Sequence, residues 1–199
     1  PMIHLQERLI KQHIMLPDVC YKQFNIFGEE LLKWNKIHNL TGASSMESVA
    51  ENIFDSLYPL KFVDEFKSCM DVGSGGGFPA IPLAIAKPEV YFILVEPRQK
   101  RACFLQNIAL ELGLGNVQVR ATSIQDVPIA EVNNLSLITS RALMDAKTLI
   151  ALCRKFLKSD GYFLLYKGSR FRQEMPSMSV EECFVRENRI YYYKHSRDL

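Results

Sequence analysis

Residues 71–82 read Asp-Val-Gly-Ser-Gly-Gly-Gly-Phe-Pro-Ala-Ile-Pro, and this run restricts the fold more than any other part of the chain. Ser68-Cys69-Met70 leads into it and an apolar segment ending near Ala86 follows, so the expected unit is strand, glycine turn, helix. Glycines at 73, 75 and 77 permit positive φ and remove the β-carbons that would hold a ligand off the backbone. The first helical turn then offers unpaired N–H groups. Spacing argues against a dinucleotide site: G-x-G-x-x-G begun at Gly73 requires a glycine at 78, where Phe78 stands.

The pattern present is Asp-x-Gly-x-Gly-x-Gly, the turn of methyltransferases that use S-adenosylmethionine, although glycines also serve purely structural turns. A second element narrows the choice. Tyr91-Phe92-Ile93-Leu94-Val95 is a continuous β-rich apolar run, as a strand buried on both faces requires. It ends in Glu96, roughly 20 residues past the glycines, where a carboxylate can accept from a ribose diol. Alone, Glu96 would read as an exposed strand-end carboxylate. Paired with the turn, it reads as a ribose ligand.

The first third reads as helical. Pro17-Asp18 opens an amphipathic stretch whose apolar face carries Phe24, Phe27, Leu31, Leu32 and Trp34, ending near His38 where Asn39 and Thr41-Gly42 supply turn chemistry. A second helix runs from about Met46 to Tyr58. Beyond Ser68, strands are expected near 69–72, 90–96, 116–120, 135–140 and 161–166, with helices near 79–86, 98–112 and 144–157. This alternation predicts an α/β fold: a doubly wound, mostly parallel Rossmann-like sheet with helices on both faces. Cys183–Arg186 and Arg189–Tyr193 read as an antiparallel terminal pair. Residues 1–65 form an N-terminal helical extension and 66–199 the catalytic domain, packed as one unit. Asp71 to Gly77, Glu96, Gln125 and Arg141 should converge beyond the carboxyl ends of the strands.

Composition is consistent with one domain: 199 residues, 48% hydrophobic, and no apolar run of membrane-spanning length. Five scattered cysteines without metal-ligand spacing imply reduced thiols, a cytoplasmic location and no metal. No secretory signal is expected, and Pro1 ahead of Met2 reads as an addition before the natural start. Net charge is only +2, but residues 141–199 carry twelve Lys/Arg against seven Asp/Glu, while 1–70 carry seven against nine. A basic C-terminal third suits phosphate contact, and equally a solvated surface.

Trp34-Asn35-Lys36-Ile37-His38-Asn39-Leu40-Thr41, Asn52-Ile53-Phe54-Asp55-Ser56, the glycine turn with Phe78-Pro79, Lys100-Arg101, Ser140-Arg141-Ala142 and Tyr166-Lys167-Gly168 follow in one order. Together they closely resemble the RsmG (glucose-inhibited division protein B) family of bacterial 16S ribosomal RNA guanine-N7 methyltransferases, from about Leu9 to Lys194. The resemblance implies S-adenosyl-L-methionine as cofactor and 16S ribosomal RNA, or the small subunit, as partner, with no membrane involved. Asp71, Gly73, Gly75, Phe78, Glu96 and Arg141 are the implied cofactor contacts. The turn after the third strand, Ile124-Gln125, is implied to receive the adenine. Arg141 is also the implied catalytic residue, its alternative being a strand-end salt bridge. Tyr166, Lys167 and Arg170 are candidates for the RNA edge.

Three departures from the family pattern stand out: Glu51-Asn52 where relatives carry Arg-His, Gln125 where an acidic residue is common, and Ala80 for glycine. Asp55 is expected either to close the active face or to cap a buried network. His38 reads as a core or surface histidine before a base.

Guanine N7 has a free lone pair, so methyl transfer to it needs alignment and not a general base. That is consistent with the lack of any Ser-His-Asp or metal constellation. Two other readings share the glycine turn: a methyltransferase of small molecules or proteins, and a cofactor-binding module without catalysis.

Overall fold

The structure, a computed structural model, describes residues 1–141 and 143–199. Ala142 of the Ser-Arg-Ala motif lies outside the described residues. Seven strands form one sheet: β1 (Ser68–Val72), β2 (Tyr91–Val95), β3 (Val117–Arg120), β4 (Leu135–Arg141), β5 (Leu157–Lys167), β6 (Cys183–Arg186) and β7 (Arg189–His195). Their spatial order is β3-β2-β1-β4-β5-β7-β6. The five strands β3, β2, β1, β4 and β5 are parallel, and β7 runs antiparallel to both β5 and β6. The order reverses between β1 and β4, so their carboxyl ends open the crevice in which such sheets bind ligands.

Helices α1 (Met2–Lys11), α2 (Asp18–His38), α3 (Met46–Leu57), α4 (Ala80–Ala86) and α5 (Gln99–Glu111) cover one face. Helix α6 (Ala146–Cys153) and the short α7 (Phe171–Glu174) lie on the other. Strand periodicity explains the two layers. Phe92, Leu94, Leu164 and Tyr166 point to the first face, while Ile93, Val95, Phe163 and Leu165 point to the second. Apolar residues on both faces are what a parallel sheet clad by helices demands. The helices of the N-terminal extension share a single hydrophobic cluster with α4, α5 and the sheet.

Two boundaries differ from expectation. Helix α6 stops at Cys153, where a 3-10 turn, Arg154–Phe156, takes over. Strand β5 starts earlier than 161, because Leu157 already pairs with Leu135 across an irregular step in the ladder. Gly161 makes that step possible: a β-carbon there would lie 2.9 Å from Leu135 O. In addition, α1 is a separate helix that anchors through only two buried residues, Leu5 and Leu9. Leu5 and Leu9 stand one turn apart on its buried face, a helical spacing that the expected elements did not include.

Candidate active site

The glycine turn hangs from β2 as much as from β1. Gly73 and Ser74 N–H donate to Val95 O at 2.8 and 3.3 Å, and Gly77 N–H closes back on Ser74 O at 2.8 Å. Gly73, Gly75 and Gly77 have φ of +77°, +54° and +104°, values that side-chain-bearing residues rarely adopt. Their roles differ. A β-carbon on Gly77 would meet Ile81 at 2.9 Å and Phe27 at 3.2 Å, so this glycine seats the turn on the core. A β-carbon on Gly75 would meet nothing nearer than 3.9 Å, because that position faces open space.

Glu96 is buried and takes two backbone amides, Gly75 N–H on Oε1 and Arg98 N–H on Oε2, each at 2.8 Å. One carboxylate thus joins the turn to the start of α5. Each oxygen retains an acceptor site, and Glu96 lines the cleft. Asp71 is 1% exposed; its Oδ1 accepts from Thr139 Oγ1 at 2.7 Å, while Oδ2 is buried without a partner. Burial lifts the Asp71 carboxyl to about 6, with Thr139, Ser74 and Arg141 holding it back and Glu96 adding to the rise.

Above the turn lies a cleft of about 340 Å³. Gly73, Gly75 and Glu96 form part of its wall, Phe78 presents an edge, and Arg141 and Leu143 close one side. Phe78 is otherwise a core residue, 4% exposed, with its ring 5.3 Å from that of Phe27. The Arg141 guanidinium stands 5.2 Å over the Phe78 ring. Desolvation lowers the Arg141 pKa, with nearby Arg189 adding to it and Asp55 opposing it.

Six lining residues were not among the site residues expected from sequence: Leu40, Thr41, Pro97, Arg98, Arg101 and Leu143. The first two explain why the Trp34–Thr41 motif has its form. Asn35 clamps the loop after α2, since its Oδ1 accepts Thr41 N–H at 2.8 Å and its Nδ2 donates to Ala43 O at 3.0 Å. Asn39 makes the left-handed turn there with φ +51°. Thr41 is then set against Gly76, whose β-carbon would come within 3.1 Å of Thr41 Cβ. The signal was in that motif, but its target lies 35 residues downstream.

The proposed RNA edge requires correction at Tyr166. That side chain is fully buried, and its hydroxyl donates to Ser56 O at 2.6 Å, because α3 covers the face of β5 on which it sits. Lys167 is half-committed: Nζ donates to Met144 O at 2.9 Å and lies 3.2 Å from Glu174 Oε2. Arg170 is exposed. Ile124 and Gln125 follow β3 at the same end of the sheet without lining the cleft, and the Ile124 side chain belongs to the core. His38 packs near Trp34, 5.7 Å between rings, outside the cleft.

Asp55 caps a buried network. Its Oδ1 accepts from Arg186, Arg189 and Tyr191, and its Oδ2 from Arg189, at 2.8–3.2 Å. Glu51 lies between Arg8 and Arg186, tying α1 to the terminal hairpin.

A sheet of this order, with a glycine turn after β1 and a carboxylate closing β2, defines a Rossmann-like methyltransferase. Solved structures share the fold: a precorrin-6y C5,15-methyltransferase from Geobacter metallireducens superimposes with TM-score 0.56 at 14% identity, covering 80% of this chain and 94% of that one. A methyltransferase from Geobacter sulfurreducens gives 0.59 at 10% identity, covering 86% and 88%.

Sequence comparison is more specific. Residues 20–197 match the family model of rRNA small subunit methyltransferase G, GidB. The Ribosomal RNA small subunit methyltransferase G of Helicobacter hepaticus is 82% identical over 185 residues, covering 93% of this chain and 100% of the relative. That of Helicobacter pylori strain J99 is 45% identical over 173 residues, covering 87% and 96%. The chain belongs to the rRNA small subunit methyltransferase G family.

Proposed function

We propose that this protein transfers the methyl group of S-adenosylmethionine to N7 of a guanine in 16S ribosomal RNA. The observation that carries the reading is the pair of acids around the glycine turn. Asp71 keeps a buried oxygen without a partner, and Glu96 keeps free acceptor sites on the cleft wall. Those features fit the cofactor: Asp71 Oδ2 suits its ammonium group, Glu96 its ribose diol, and the bare backbone of Gly73 and Gly75 its close approach. Phe78 contributes an apolar edge and the Ile124-Gln125 turn an adenine contact. When bound, the cofactor supplies a methyl already activated on a sulfonium.

The chain's own work is alignment. Guanine N7 needs no deprotonation, so holding the base and cofactor in line is what remains, and such positioning removes up to roughly 7–11 kcal/mol of barrier. Arg141 is the candidate for holding the base or its phosphate. N7 must stay free for attack, which leaves guanine O6 or a phosphate as its partner. Arg98 and Arg101 on the cleft wall, with the exposed Arg170 beyond it, supply cations for the RNA backbone. A guanine reachable by so narrow a cleft is unstacked or in a loop. No described helix is long and apolar enough to cross a membrane. A ribosomal RNA substrate supports a cytoplasmic site of action.

Nucleoside mass spectrometry of small-subunit RNA from cells with and without the gene tests this directly. One 7-methylguanosine should vanish without the gene and return with it. An unchanged nucleoside profile would overturn the proposal.

A further inference from the structure

Arg141 is the last residue of β4, and its guanidinium is held from a distant helix. Nη1 donates to Asn52 Oδ1 on α3 at 2.7 Å. Asp55 Oδ2, one turn further along α3, lies 3.7 Å from the same nitrogen, beyond hydrogen-bond range. Among the described residues, the bond to Asn52 is the only hydrogen bond that the guanidinium donates. The amide is itself oriented, because Asn52 Nδ2 donates to Ser48 O at 2.8 Å. Only one of the two amide orientations satisfies both neighbours. The reverse would turn the NH₂ toward the guanidinium and the carbonyl toward Ser48 O.

We infer that Asn52 is a positioning residue, aiming the Arg141 guanidinium across Phe78 and into the cleft. The inference rests on the reading that Arg141 handles the RNA substrate. A neutral acceptor suits this place. Asp55 is already engaged by Arg186 and Arg189, while Arg141 is further surrounded by Asp71 of β1, Tyr166 of β5 and Arg189 of β7. Asn52 therefore fixes one arginine without adding charge to a crowded ionic cluster, and its hold does not change with pH.

Methyl transfer to small-subunit RNA, S-adenosylhomocysteine binding and thermal midpoints are to be measured for Asn52→Ala, Arg141→Ala and the double variant. Asn52→Ala should slow transfer about tenfold to a hundredfold, the scale of a lost hydrogen bond to a charged group, and change product-cofactor binding less than about twofold. In the Arg141→Ala background the same substitution should cost less than about threefold, since it acts through that arginine. Independent, multiplicative losses would overturn the inference. So would a slow Arg141→Ala enzyme beside an unimpaired Asn52→Ala enzyme, and that result would leave the role of Arg141 standing. An unimpaired Arg141→Ala enzyme would instead remove the underlying reading, and the inference with it.

Asn52→His gives a readout that a purely structural role would not move. Imidazole accepts from Arg141 only while neutral, so at saturating cofactor the variant's rate relative to wild type should fall as pH drops through the imidazole's own pKa, which the adjacent guanidinium holds below the free value of about 6.5. A constant ratio across the pH range in which NMR shows that imidazole taking up its proton would overturn the inference.

Discussion

Glu96 Oε1 accepts the Gly75 amide at 2.8 Å while its Oε2 accepts the Arg98 amide at the same distance, so one buried side chain fixes both the glycine turn and the entry to α5. The contact spans 21 residues and sits at the wall of the cleft. A residue read from sequence as a ribose ligand thus also holds the turn together.

Glu96→Gln should therefore weaken both stability and cofactor binding. An amide presents one NH₂ where two backbone donors require acceptors, leaving one N–H facing a donor, at a cost of about 1–3 kcal/mol. The thermal midpoint should fall, and the stabilisation by S-adenosylhomocysteine should shrink beyond what that fall explains. A variant with normal midpoint and normal ligand shift would show that the carboxylate does neither job.

The proposed contact between Asp71 and the cofactor's ammonium group predicts a pH-dependent affinity. Burial lifts its carboxyl to about 6, against about 3.9 in an unfolded chain. Its contribution to fold stability is accordingly fully present below about pH 4 and is lost as pH rises through about 6. A bound ammonium group favours the ionised carboxylate, so cofactor affinity should run the opposite way, rising as pH climbs through about 6. Calorimetric titrations of S-adenosylhomocysteine at pH 5 and pH 7 should show tighter binding at the higher value. Asp71→Asn should bring the two closer together.

Removing Asp55 should be among the most damaging single changes away from the glycine turn. Its carboxylate receives Arg186, Arg189 and Tyr191, with Arg141 alongside, and its side chain is 8% exposed. Asp55→Ala leaves several cations facing one another, a loss of about 3 kcal/mol. Chemical denaturation should register it, and added salt should restore part of the loss by screening. A loss below about 1 kcal/mol would mean that the cluster relaxes around the gap.

Tyr166 and Arg170 should separate cleanly. Tyr166→Phe deletes a buried donor to Ser56 O, lowering stability by about 1 kcal/mol with RNA affinity unchanged. Arg170→Ala should leave stability within about 0.5 kcal/mol. If that side chain meets a phosphate, the slope of log affinity against log salt should flatten by about one unit. RNA binding across a salt series with both variants decides it.

The fold and the turn were legible because their causes are local. The alternation of apolar runs over Tyr91–Val95 and its neighbours can satisfy a sheet only if both faces are covered, and glycines at 73, 75 and 77 permit the positive-φ turn that follows β1. The position of Glu96 just past β2 was legible too, because a strand end is a fixed address in such a sheet. What the sequence could not state was which elements cover one another. Tyr166 looks like a cleft-edge residue until α3 is laid over β5. Thr41 becomes a cleft residue only when the loop after α2 rests on Gly76. Asn52 meets Arg141 across 89 residues of chain. Propensity and periodicity act over a few residues, whereas exposure, ion pairing and the aim of a guanidinium depend on which distant segments the packed core brings together.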